Sequence, residues 1–240
     1  MIHCWTDEDP LEYFMGEYGF DQEKIEKFVT GMKYSAVMLK NGDIGVCANL
    51  GVSVDVRGKN ALVPDLNNRA SRIIYNAYLN ALLNSRVSGM ENTDICEAID
   101  FGNVEHVTMI GYFKPVIDRL TNEGIDLKVF DLIKSEAGVI PDEEKSRYLS
   151  TSEAIILTST SVSNGTFLEI MRQISGDSHV YLLGPSSIMH PFFTVYGQLR
   201  MIFGTGFFNR DERVLHVIEQ GGGTRDFQKF GVKKVLNLDT

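Results

Sequence analysis

The sequence predicts an α/β protein in two parts. A small α+β unit over residues 1–102 is followed by a unit over residues 103–240 in which helices cover a largely parallel sheet. Three observations carry this. Asn41-Gly42 sits between two apolar runs, Ser35–Lys40 and Asp43–Ala48, and an Asn-Gly pair so placed signals a β-hairpin with φ > 0 at both turn positions. Ala70, Ile73, Ile74, Ala77, Tyr78, Ala81 and Leu82 mark one face of a long helix. Apolar runs then recur near Val104, Leu127, Ala154, Val180 and Met201, with a last one at Val232–Leu236. Helical patterns lie between most of them, which is the rhythm of βαβ units.

The first part reads as follows. Residues 6–18 mix acids with Leu11, Tyr13, Phe14 and Tyr18 and suit a short helix. Asp21 is placed to cap a second helix with Ile25, Phe28, Val29 and Met32 on one face. After the hairpin, Val52–Val56 is expected to add a third strand, with the helices on one side of the meander. The long helix runs from about Asp65 to Asn84 and carries Arg72, Asn76 and Asn80 on its other face. Residues 85–102 form a polar connector with one short helical piece, Asp94–Ile99.

The second part is organised around Ala154–Thr166. Its apolar start suits a strand buried on both faces. Thr158–Ser163 is small and hydroxylated, and Asn164 is placed to cap a helix with Phe167, Leu168, Met171 and Ile174 on one face, stopped at Gly176. Pro115 opens another helix through Val116, Ile117 and Leu120, ended by Gly124. Asp211 precedes a third, with Val214, Leu215 and Ile218.

Composition sets outer limits. Hydrophobic residues make up 43% and charged residues 23% of 240, as in an ordinary globular protein. The net charge of −9 argues against sequence-independent nucleic-acid binding, which needs clustered cations. No apolar run approaches the length of a membrane span, so no membrane partner is expected. The acidic N-terminus lacks the pattern of a signal peptide. Cys4, Cys47 and Cys96 are widely spaced and suggest neither a disulfide framework nor a zinc knuckle. A reducing, cytoplasmic setting is expected.

In parallel sheets ligands bind beyond the carboxyl ends of the strands. Those ends read Gly111-Tyr112-Phe113, Asp131, Thr158-Ser159-Thr160, Gly184-Pro185-Ser186-Ser187 and Gly204-Thr205-Gly206. Four of the five are small or hydroxylated, which predicts a cleft with hydrogen-bonding walls. Asp131 is either a ribose-binding acid, as in dinucleotide-binding folds, or a solvated strand-end acid. The first turn has a single glycine, so the dinucleotide fingerprint is absent. Gly221-Gly222-Gly223 follows a helix and reads as a helix stop, with Arg225 able to reach back toward a charged ligand. No metal-binding spacing and no nucleophile elbow occur. His106 and His179 fall at strand starts, and only His190 can lie over the cleft. Cys47, in a strand, is expected to be buried and inert.

Several motifs occur together in register: Ile110-Gly-Tyr-Phe, Leu157–Thr166, Leu183-Gly-Pro-Ser-Ser, Phe203-Gly-Thr and Gly221-Gly-Gly-Thr-Arg. With Ala36–Leu39, Gly45–Asn49 and Tyr75-Asn-Ala in the first part, they give a chain that resembles the family labelled putative heavy-metal chelation. The resemblance implies an enolase N-terminal-like domain followed by a Rossmann-like domain, a ligand site between the two, and a homodimer. It assigns Thr158, Ser159, Thr160, Asn164, Thr166, Ser186 and Ser187 as polar site residues, with Tyr112 and Phe113 as lining. Together with Asp131, Gly165, Pro185, Gly204 and Thr205 from the strand ends, these form the expected ligand-binding set. A metal ion or metal complex is the implied ligand. With no Cys or His cluster nearby, hard-oxygen ligation or a metal already held by a small chelator suits the hydroxyls. The competing expectation is a transferase using a nucleoside-containing cofactor, with Asp131 on the ribose; a structural dimer with a vestigial cleft is a third.

Overall fold

The computed structural model describes residues 6–55, 64–88, 90–132 and 138–239. The first part contains α1 (Pro10–Tyr18), β1 (Ile25–Thr30), β2 (Tyr34–Leu39), β3 (Ile44–Ala48) and α2 (Arg69–Leu83). The three strands form an antiparallel sheet in the order β1-β2-β3. The second helix expected after Asp21 is instead β1. Asp21 does accept from the amide of Glu23, but it caps only a single 3-10 turn. An irregularity between Ile25 and Lys27 shifts the register against β2. That shift breaks the two-residue alternation, so the apolar spacing in the sequence imitates a helix.

The hairpin forms, with a different turn. Only Gly42 of the Asn-Gly pair has positive φ, at 94°, and Leu39 and Asp43 close a three-residue loop around it. Such a loop combines an ordinary turn with one left-handed residue. Val52–Asp55 is not a strand; β1 takes the third place in the sheet, and Val56 lies outside the described residues, as do His3 and Cys4. Helices cover both faces of this sheet rather than one. Val37, Leu39 and Cys47 pack toward α2. Ala36, Met38, Ile44 and Val46 pack against Val214, Leu215 and Ile218 of a late helix.

Helix α2 is the centre of the molecule. Asn68 caps it through the amides of Ala70 and Ser71. Its apolar face is buried as expected, and so is the opposite, polar one. Arg72, Asn76 and Asn80, followed by Asn84, recur every four residues and are at most 7% exposed. Buried polar groups need partners, and here most of the partners lie in the second half of the chain. Arg72 donates to the carbonyls of Val162 (2.7 Å) and Ser163 (3.2 Å) and to the carboxylate of Asp9 (2.8 Å). Asn76 donates to Ser186 O, Asn80 to Val46 O and Pro185 O, and Asn84 to Ser187 O. One helical stripe therefore fixes the loops that follow two strands of the large sheet.

The second half contains β4 (Met90–Glu91), α3 (Ile95–Ala98), β5 (Val107–Ile110), α4 (Lys114–Asn122), β6 (Leu127–Phe130), α5 (Lys145–Thr151), β7 (Ala154–Thr158), α6 (Thr160–Asn164), α7 (Phe167–Met171), β8 (His179–Leu183), β9 (Leu199–Phe207), α8 (Glu212–Glu219), α9 (Thr224–Phe227) and β10 (Gly231–Asn237). The sheet order is β4-β10-β9-β8-β7-β5-β6. Strands β6, β5, β7, β8 and β9 are parallel, and β10 and β4 add antiparallel edges. Val107, Met109, Ala154 and Ile156 face one core with Leu120 of α4. Ile110, Ile155 and Leu157 face the other, with Leu149 of α5 and Phe167 and Ile170 of α7. The crossover helices thus change faces between β5 and β7. Among the described residues no helix is long and apolar enough to cross a membrane.

Two local expectations are corrected. The hydroxylated stretch before Asn164 folds as the short helix α6, and the helix expected from Asn164 to Gly176 is the short α7; the two are separated by Gly165, whose φ is 80°. Asn164 ends the first of them, and its Oδ1 accepts from the amide and hydroxyl of Thr166. Gly204, Thr205 and Gly206 lie inside β9 rather than beyond it, because β10 pairs along Met201–Phe207 and lengthens the strand.

Candidate functional site

The place where crossovers change faces leaves a crevice beyond the strand ends. Here the ends of β5 and β7 border a cavity of about 300 Å³. Its floor is Gly111, Thr158, Ser159 and Gly184. Both glycines have positive φ, 103° and 136°. A Cβ on Gly111 would lie 2.8 Å from Thr158 Cβ, and one on Gly184 would lie 2.8 Å from Ser159 Oγ. Any other residue at these positions would be strained and would fill the floor. Asp131, Asp142, Lys145, Thr160, Asn164, Thr166, Glu169 and Ser186 supply polar lining, and Tyr112, Phe113, Phe130 and Pro185 supply apolar walls.

The hydroxyls here are not equivalent. Ser186 Oγ accepts from the amide of Ala48 (3.0 Å) and ties β3 to the loop after β8. Ser187 donates to Phe203 O (2.8 Å) and does not line the cavity. Thr158 and Thr160 hydrogen-bond to each other (2.9 Å). Ser159 is 1% exposed, lines the cavity, and its Oγ has no hydrogen-bond partner. A buried hydroxyl without a partner costs free energy until something occupies the space before it.

A second cavity, about 560 Å³, adjoins the first. Tyr34, Tyr112, Phe113, Gly184 and Pro185 line both. Gly204 and Thr205 belong to this second cavity, so the expected site residues are divided between two compartments. Gly165 lies in neither lining; it sits against the guanidinium of Arg72. Arg225 lines the second cavity, from α9. The triple-glycine run therefore both follows one helix and precedes another, although α9 has only four residues.

His190 lines neither cavity. It hydrogen-bonds Tyr18 through Nε2 (2.9 Å) and accepts the amide of Phe192 at Nδ1 (3.1 Å). Burial lowers its pKa, and it acts as a cap. Cys47 is fully buried, and burial pushes its thiol up to about 11, consistent with an inert core residue. Among the described residues no three of His, Cys, Asp and Glu come together as metal ligands. The donor set does not fit a metal ion held by side chains alone. What sequence reading missed is Asp142, Lys145 and Glu169, which enter from α5, the turn before it and α7. Nothing in their local pattern separates them from solvated helix charges.

A family model described as putative heavy-metal chelation, DUF364, matches residues 94–237. A second model with the same description, DUF4213, matches residues 14–85. No curated protein matches the sequence. Two solved structures share the fold. One is a protein of unknown function from the DUF364 family of Pyrococcus horikoshii, with TM-score 0.75, 20% identity, and 89% of this chain and 92% of that chain covered. The other is a DUF364-family protein of unknown function from Desulfitobacterium hafniense, with TM-score 0.74, 17% identity, and 95% and 96% covered.

Proposed function

The chain belongs to the putative heavy-metal chelation family DUF364, and from that membership and the crevice we propose that it binds a small molecule or metal complex in the cavity between the ends of β5 and β7. The observation that carries this is the orphaned hydroxyl of Ser159 on the floor of an open cavity. A ligand that hydrogen-bonds there offsets the desolvation cost of that hydroxyl. The surrounding donors are oxygens of Thr158, Thr160, Asp131, Asp142 and Glu169. Oxygen donors suit a hard cation or a hydroxylated ligand. Because the donors do not gather into a ligand cluster, a metal enters this reading already held by a small chelator, with the protein gripping the complex from outside.

Asp131 sustains a second reading. It follows β6, the strand beside β5, and lines the same cavity. An acid at that position suits the ribose of a nucleoside-containing transferase cofactor.

The test is native mass spectrometry of untagged protein with elemental analysis of the same sample. The expected result is a homodimer carrying a stoichiometric small molecule or metal complex that is lost in Ser159→Val. A melting temperature raised by adenosine-containing ligands, and dependent on Asp131, gives the site to the transferase reading instead. Protein that retains nothing, and whose melting temperature moves with neither metal chelates nor adenosine compounds, overturns both.

A further inference from the structure

The second cavity has a charge character of its own. Lys114, Arg119, Arg225, Lys233 and Lys234 line it, and Asp94 is the one acid among its lining residues. Some of this charge is answered locally. Lys114 pairs with Asp118 (2.8 Å), Arg119 with Glu123 (3.1 Å) and Asp94 (3.5 Å), and Lys233 lies 3.9 Å from Asp94. The other two cations differ. The Lys234 amine lies on the opposite face of the sheet, where it donates to the carbonyls of Val87 (3.0 Å) and Asn84 (3.3 Å). Arg225 makes no ion pair or hydrogen bond among the described residues.

The remaining walls are Tyr34, Ile95, Tyr112, Phe113, Val116, Leu183 and Phe203. Apolar walls of low dielectric strengthen the field of the cations between them. The cations come from α4, α9 and β10, elements distant in sequence, and converge only in the folded chain. In a protein of net charge −9, a concave region with this surplus is not average surface.

We propose that this second cavity is a binding site for a small polyanion, one carrying two or more carboxylate or phosphate groups, with Arg225 as its principal contact and Lys233 as a second. The volume is that of small-molecule sites in general, and Arg225 presents a planar fork suited to an oxyanion. The inference rests on this cavity alone and does not require a ligand in the neighbouring one.

The experiment is titration calorimetry of the full chain with citrate and, separately, inorganic pyrophosphate, at low and at moderate salt. Saturable binding of at least one is expected, weakened by salt and weakened about tenfold or more in Arg225→Gln, since charge-assisted bonds are the strong ones. Arg225 is exposed and bonded to nothing described, so this variant retains the wild-type melting temperature. Lys233→Gln serves as a second variant, expected to weaken binding by a smaller factor. Citrate binding alone assigns carboxylates; pyrophosphate binding alone assigns phosphates. Absence of binding by both at millimolar concentration overturns the proposal, as does binding that Arg225→Gln leaves unchanged. Ser159→Val separates this site from its neighbour, because it should leave polyanion binding intact.

Discussion

Two cavities share one wall and carry opposite lining. The smaller, between β5 and β7, has Asp131, Asp142 and Glu169 against a single Lys145, among hydroxyls. The larger has five cations against Asp94. Tyr112, Phe113, Gly184 and Pro185 stand between them. The smaller arises from topology, since it opens where crossovers change faces. The larger arises from the chain's late return, when β10 pairs antiparallel with β9 and brings Lys233 to the same cavity as Arg225. A single ligand spanning both would place a cationic or hydroxylated part in one compartment and an anionic part in the other. A chelated metal has that polarity.

The two compartments are also anchored differently, and the largest expected effect comes from that difference. Arg72 holds the loop beside the smaller cavity through Val162 and Ser163 while pairing with Asp9. Arg72→Ala removes the donor to the carbonyls of Leu66, Val162 and Ser163 and the cation paired with the largely buried Asp9, at a cost of about 3–5 kcal/mol. Amide hydrogen exchange should accelerate across residues 160–171 and change little in α4 and β10. Uniform acceleration would mean that the compartments are not mechanically separate.

The wall offers the next test. Gly184→Ala adds a Cβ at φ 136° and 2.8 Å from Ser159 Oγ, which should cost about 1–3 kcal/mol in strain. Because Gly184 lines both cavities, binding should weaken in both. Loss in one compartment alone would show that the wall yields to one side.

How far the sequence foretold this arrangement depends on the range of the signal. The parallel strands were legible because β7 and β8 are short apolar runs ended by small residues, and such runs are set locally. The strand ends were legible for the same reason, and Thr158, Ser159 and Gly184 meet where the pattern places them. β1 was misread because its register shift erases alternation. The helix after Asn164 was misread because Gly165, a local breaker, was taken for part of a helix start. The polar stripe of α2 was visible as spacing but not as a buried seam. Arg72 and Asn76 are polar, and the carbonyls of Val162, Ser163 and Ser186 that make their burial tolerable lie some 90–110 residues further along the chain. The basic cavity was out of reach, since Lys114, Arg225 and Lys233 come from α4, α9 and β10 and no motif joins them.

The smallest effect discriminates most finely between the compartments. Ser159→Ala removes a hydroxyl that hydrogen-bonds to none of the described residues. Deleting an unsatisfied buried group returns its desolvation cost, so stability should hold or rise by up to about 1 kcal/mol. That sign is unusual for a buried substitution, and a denaturant melt reads it directly. Ligand binding in the smaller cavity should weaken by about one hydrogen bond, roughly 1 kcal/mol or fivefold. Citrate or pyrophosphate binding in the larger should not change. A variant that instead loses stability would show that the hydroxyl already has a partner in solution, such as an ordered water. The smaller cavity would then have no vacant hydrogen bond to offer a ligand, and the asymmetry between the two compartments would rest on charge alone.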